Sequence, residues 1–111
     1  MTYEYIKNMV ELESGIPNLS KRGTDKIIRS AYYKLCTMHI IDWSYLGIAK
    51  SLDRADHTDV SLSVGEFDFS LRENSLNKEC KRVYNKCWAE LRQMYKDSLE
   101  AKEMNVEYET V

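Results

Sequence analysis

Asp56-His57-Thr58 is a run of short polar side chains placed just after an apolar stretch, Trp43 to Leu52, with helical spacing. At the first turn of a new helix such residues have two uses. They accept hydrogen bonds from N–H groups that lack a partner inside the helix, and they lie where the partial positive charge of the helix end attracts phosphate. His57 can donate to or accept from a base edge, and Thr58 can touch a thymine methyl, which is the chemistry of major-groove readout. The plainer use is capping alone, with Asp56 closing the helix. Acid–base catalysis fits poorly, because adjacent helical residues point about 100° apart and Asp56 and His57 do not form a dyad. No nucleophile motif, Gly-rich phosphate loop or carboxylate pair accompanies them, so no enzyme activity is expected.

Cations are concentrated in two places. Residues 20–35 hold Lys21, Arg22, Lys26, Arg29 and Lys34 against Asp25 alone, and residues 78–96 hold Lys78, Lys81, Arg82, Lys86, Arg92 and Lys96 against Glu79 and Glu90. Each run also reads as an ordinary solvated helix face. The net charge of −2 carries no global signature of a nucleic-acid binder, and Asp53, Asp56, Asp59, Glu66 and Asp68 make the middle of the chain acidic. The three cysteines have no paired spacing. Cys80 and Cys87 are two helical turns apart, about 10.5 Å by helical rise, which is too far for a disulfide. A reducing, cytoplasmic setting is expected. Neither His39 nor His57 is spaced with a cysteine as a zinc site needs, so no metal or cofactor is expected. No leader and no apolar run of about eighteen residues is present, so no membrane partner is expected.

The elements that must position these residues read as all-α, about five helices in a single domain, residues 1–111. A first helix over 2–14 stops at Gly15-Ile16-Pro17. A second, capped by Thr24 or Asp25, runs to about Ile40 with Ile27 or Ile28, Ala31, Leu35 and Met38 inward. Asp42 or Ser44 starts a third, with Tyr45, Leu46, Ile48, Ala49 and Leu52 inward. Asp53-Arg54-Ala55 is the turn, and Asp56 caps a fourth with Val60, Leu62, Val64 and Phe67 facing the core. This gives a helix-turn-helix core over 20–67. A long C-terminal helix over 70–104 carries the stripe Leu76, Cys80, Val83, Cys87, Leu91, Met94, widened by Tyr84, Trp88, Tyr95 and Leu99. It is long for so small a domain to cover. Either it crosses the whole domain or it also packs on a second copy, and in a homodimer the protein interface expected is Val83, Cys87, Trp88, Leu91 and Tyr95.

Residues 20–64 resemble the C-terminal DNA-binding domain of the bacterial replication initiator DnaA. The resemblance is carried by Ser20-Lys21-Arg22, by Arg29 on the next helix, by Ile48-Ala49, and by Asp56-His57-Thr58-Asp59-Val60. It implies binding of double-stranded DNA by a DnaA-like helix-turn-helix. Arg22 would enter a minor groove, where a flexible guanidinium suits a narrow A·T tract. Lys26 and Arg29 would clamp phosphates, and Asp56, His57 and Thr58 would present the helix tip to bases. Lys50 falls at a position of either charge in the family. Three departures stand out: Ala55 where the family has Arg, Asp59 where it has a second Thr, and Gly65-Glu66 where it is usually basic. The nucleotide-hydrolysing module of the family is absent. The reading is a small phage- or plasmid-type accessory protein in replication or transcription. The alternative is a protein-binding adaptor or inhibitor that keeps the scaffold and uses its acidic patch to engage a host protein.

Overall fold

The computed structural model describes residues 1–54 and 56–109, with side chains described through Asp97. Five helices follow one another, with no strand among the described residues: α1 Tyr3–Ser14, α2 Lys26–His39, α3 Tyr45–Ser51, α4 His57–Arg72 and α5 Lys78–Glu109. The all-α expectation holds.

Short polar side chains start every helix by taking N–H groups of its first turn. Thr2 Oγ1 accepts from Tyr5 N at 3.1 Å, and Asp25 accepts from Ile27 N at 2.8 Å. Ser44 Oγ accepts from Gly47 N at 2.9 Å, Asp56 from Thr58 N at 2.8 Å, and Asn77 from Glu79 N at 2.9 Å. Left-handed residues end three of them: Gly15 at φ 76°, Asp53 at φ 55° and Asn74 at φ 53°. The last of these corrects the expected boundary of the long helix. The chain does not continue as one helix from residue 70. α4 runs on to Arg72, Asn74 turns it, and Asn77 caps a new start at Lys78.

α2 is the centre. Helices α1, α4 and α5 all pack on it, and Ser30, Ala31, Tyr32, Tyr33, Leu35 and Cys36 are buried within a single stretch of seven residues. The burial of Tyr32 takes a hydroxyl inside, so that hydroxyl needs a partner. Ser51 donates its own proton to the Ile48 carbonyl, which leaves its oxygen to accept from Tyr32 Oη at 2.6 Å. This bond ties α2 to the end of α3. α1 meets α3 at Gly47. The Tyr3 hydroxyl accepts from Ser44 N, and an added Cβ on Gly47 would lie 2.7 Å from that hydroxyl. Arg82 on α5 donates to the Glu13 carbonyl at 2.9 Å, placing a cation at the C-terminal end of α1.

The apolar stripes face the core with several corrections. On α2 it is Ile28 that is buried, while Ile27 and Met38 are exposed. On α3 Leu46 is exposed, and on α4 Leu62 is 63% exposed. Val60, Ser63, Val64 and Phe67 form the inner face of α4, and at about 100° per residue Leu62 points away from it. The expected interface on α5 is also corrected. Val83, Cys87 and Leu91 are buried in the chain's own core, because α1 and α2 cover that stripe. Of the five, Trp88 is half-buried under the Arg92 guanidinium, 5.1 Å from its ring centre, and Tyr95 is exposed. The core position of the stripe removes the reason for a dimer contact there.

Cys36, Cys80 and Cys87 are all buried and unpaired. Burial disfavours the thiolate and pushes each thiol up to about 12. Thiol reagent at pH 8 is therefore expected to leave the native protein unmodified over minutes and to titrate all three cysteines in denaturant. Rapid native labelling of any one, located by peptide mass, would contradict this packing.

Candidate nucleic-acid interface

The junction between α3 and α4 is built from backbone geometry. After Ser51 the chain reverses through two hydrogen bonds, from Asp53 N to Lys50 O at 3.0 Å and from Arg54 N to Ala49 O at 2.8 Å. This pair is a Schellman motif, with Asp53 in the left-handed position that glycine usually fills. Asp56, in extended conformation, then opens α4. α3 and α4 pack directly on one another, giving a helix-turn-helix. Ala55, where the DnaA pattern has arginine, lies outside the described residues.

The first of the two uses suggested by the residue types at the tip of α4, capping, is present in the structure. Asp56 caps: the Thr58 backbone N–H, then the Thr58 side chain, hold its carboxyl below the usual carboxylate range. His57, Thr58 and Asp59 are exposed, so His57 and Thr58 stand in the solvent ahead of a capped helix end. Nothing else in the described chain covers them.

Cations come together beside this tip, and one of them was not among the residues singled out above. The Tyr33 hydroxyl on α2 is buried and has no hydrogen-bond partner among the described residues. Burial raises its pKa first; Arg29 lowers it, Asp59 raises it and Arg54 lowers it. Arg29, Arg54 and Asp59 are thus near enough to act on the Tyr33 hydroxyl. Arg29 Nε and both Nε and Nη2 of Arg54 are shielded from solvent and unbonded. The base of each guanidinium is thus covered by the protein. Arg54 escaped notice because it precedes the Asp-His-Thr run by two positions and carries no motif of its own. Only the Schellman turn brings it back against α2. Asp59 makes no ion pair within 4 Å among the described residues.

The other proposed contacts are more spread out. Lys21 and Arg22 are exposed in the loop before α2. That loop is held by Thr24, whose hydroxyl donates to the Lys21 carbonyl at 2.9 Å, and by the buried Leu19, whose N–H donates to Glu11 at 2.8 Å. Lys26 is exposed, but it lines a shallow hollow with Glu66, Phe67 and Ser70, well along α4 from its tip. Lys50 is exposed on α3. The acidic patch is smaller than its sequence count, since Lys34 pairs with Asp68 at 2.8 Å and Asp56 is engaged as a cap.

Comparison of the chain with protein-family models, curated proteins and solved structures found no match. The DnaA resemblance therefore rests on the motif residues named above.

The Asp56 cap has a defined pH signature. Its folded pKa is depressed, so its contribution is complete above the ordinary carboxylate range and is lost as pH falls through the lowered native value. The Thr58 amide resonance should titrate over that acid window in the wild type. In Asp56→Asn, which keeps an acceptor but cannot ionise, the titration should vanish while α4 persists by circular dichroism.

Proposed function

We propose that the chain binds double-stranded DNA through the tip of α4 and the cations grouped around it, in the cytoplasm, as a small accessory protein of phage or plasmid type acting in replication or transcription. The observation that carries this reading is the convergence of Arg29 and Arg54 beside the exposed first turn of a helix-turn-helix α4. Two anchored guanidiniums next to unpaired helix N–H groups suit a phosphate on either side of a groove. His57 and Thr58 then reach base edges, and the loop arginine Arg22 reaches the neighbouring minor groove. Base reading is limited to this first turn. Further along α4 the exposed residues are Leu62, Gly65, Glu66, Phe69 and Arg72, of which only Arg72, in the last turn, is a cation. The binding is thus led by phosphate contacts and is strongly salt-dependent.

The alternative, engagement of a host protein, is favoured by one observation. Asp53, Asp59 and Glu66 are exposed and unpaired among the described residues.

Duplex affinity across a salt series tests the proposal. Arg54→Ala and Arg22→Ala should each weaken binding by about 1–3 kcal/mol, and each loss of a phosphate contact should flatten the log–log salt slope by about one unit. Asp59→Thr should tighten binding by removing a carboxylate from the tip. Lys86→Ala, on α5 and 3.9 Å from Glu13, should change nothing. Wild-type affinity that is undetectable at low salt, on both random and A·T-rich duplex, removes the DNA reading.

A further inference from the structure

The outer face of α4 is built for something other than phosphate. Leu62, Gly65 and Phe69 follow one another at spacings of three and four, on the side of the helix opposite Val60, Val64 and Phe67. Leu62 is 63% exposed and Phe69 is 56% exposed. Gly65 lies between them in the middle of a sixteen-residue helix, where glycine weakens the helix. Nothing within the chain requires it, since an added Cβ would meet no atom within 4 Å. Its effect is to let another backbone approach from outside. Together with Ser61 and Ser70 these residues form a shallow groove along the helix.

One flank of the seam is acidic and regular. Asp59, Glu66 and Glu73 recur every seventh residue, all exposed and none ion-paired among the described residues. An apolar seam beside a charged row of that period is the arrangement by which one helix selects another. We infer that the α4 face from Asp59 to Glu73 docks an amphipathic helix of a partner protein, with leucine-type residues over Leu62, Gly65 and Phe69 and lysines or arginines against the acidic row. The charge decides among occupants. A second copy of this chain would bring the Glu66 row against itself when antiparallel; when parallel it would set the three carboxylates against a flank whose Asp68 is already paired with Lys34 and whose one cation is Arg72. A DNA duplex would meet three carboxylates in a line. A basic helix meets complementary charge at Asp59, Glu66 and Glu73, one side of the seam. Such a partner overlies α4 and would compete with DNA for the tip, although its docking does not depend on DNA being bound.

The experiment uses the full chain and two labelled synthetic helical peptides with the same leucine seam, one flanked by lysines and one by glutamates, read by fluorescence anisotropy. The lysine peptide should bind and the glutamate peptide should not. The doubly substituted Leu62→Ser/Phe69→Ser protein should lose roughly tenfold or more in affinity for the lysine peptide. Both residues are exposed, so the variant should keep the wild-type helical signal. Glu66→Lys/Glu73→Lys should reverse the preference toward the glutamate peptide. Equal binding of the lysine peptide to the wild type and both variants would overturn the proposal. So would a doubled mass in sedimentation that Leu62→Ser/Phe69→Ser abolishes, since the face would then belong to a second copy. Failure of duplex binding alone leaves all these readouts intact, so the two proposals fail separately.

Discussion

Burial of α2 on nearly every side is the constraint around which the other helices are arranged. A helix so enclosed must supply apolar volume in several directions, and Ile28, Ala31, Leu35 and Cys36 do so. It must also settle the hydroxyls that its two adjacent tyrosines carry inward. Tyr32 and Tyr33 point to different neighbours, with ring centres 5.9 Å apart and planes tilted by 57°. Tyr32 finds Ser51 on α3. Tyr33 faces the turn and the first residues of α4, amid Arg29, Arg54 and Asp59. The central helix therefore holds α3 by the Tyr32–Ser51 hydrogen bond and α4 by direct packing. The same packing that stabilises the domain brings Arg29 next to Arg54.

The hydroxyl of Tyr33 and the inner nitrogens of both arginines have no hydrogen-bond partner among the described residues. Buried polar atoms of this kind are usually satisfied, and leaving them unmade weakens a fold. These inner nitrogens are closed to solvent, so only the outer edges of the two guanidiniums are open to an anion. By contrast, the C-terminal basic run is largely spent. Arg82 is bonded to Glu79 and to α1, Lys86 lies near Glu13, and Lys81 donates to Asn74. Cation counts over a segment treat the two runs alike, but their hydrogen bonds distinguish them.

What was legible in the sequence follows from the range of the physics. Caps are local, so Asp25, Ser44 and Asp56 could be placed from residue type and position alone, as could the Gly15 stop. Which member of an apolar stripe faces inward depends on neighbours. Leu62, Leu46 and Ile27 are apolar, and the structure leaves them outside. The stripe of α5 showed correctly that the helix packs on something, but periodicity cannot tell a second copy from α1 and α2 of the same chain. The break at Asn74 was missed because asparagine marks a helix end less plainly than glycine or proline. Arg54 was invisible for a related reason: its role exists only once the Schellman turn returns it to α2.

α4 thus divides along its length. Its first turn has positive partial charge from the helix end, two guanidiniums close by, and exposed groups able to hydrogen bond. From the second turn on, its outer face is apolar with an acidic border. A helix lying deep in a major groove would need cations or neutral polar groups along several turns, and between its first turn and Arg72 in its last this one exposes Leu62, Gly65, Glu66 and Phe69. On the proposed reading, contact with DNA through α4 would be confined to its tip, with the helix entering end-on rather than along the groove. The exposed leucine and phenylalanine further back are then left without a role in DNA contact, and burying them would release the hydrophobic free energy that water exposure withholds. A helix with one end suited to phosphate and a shaft suited to a basic helix can be occupied by either ligand, and the charge on Asp59, at the boundary, opposes the first and favours the second.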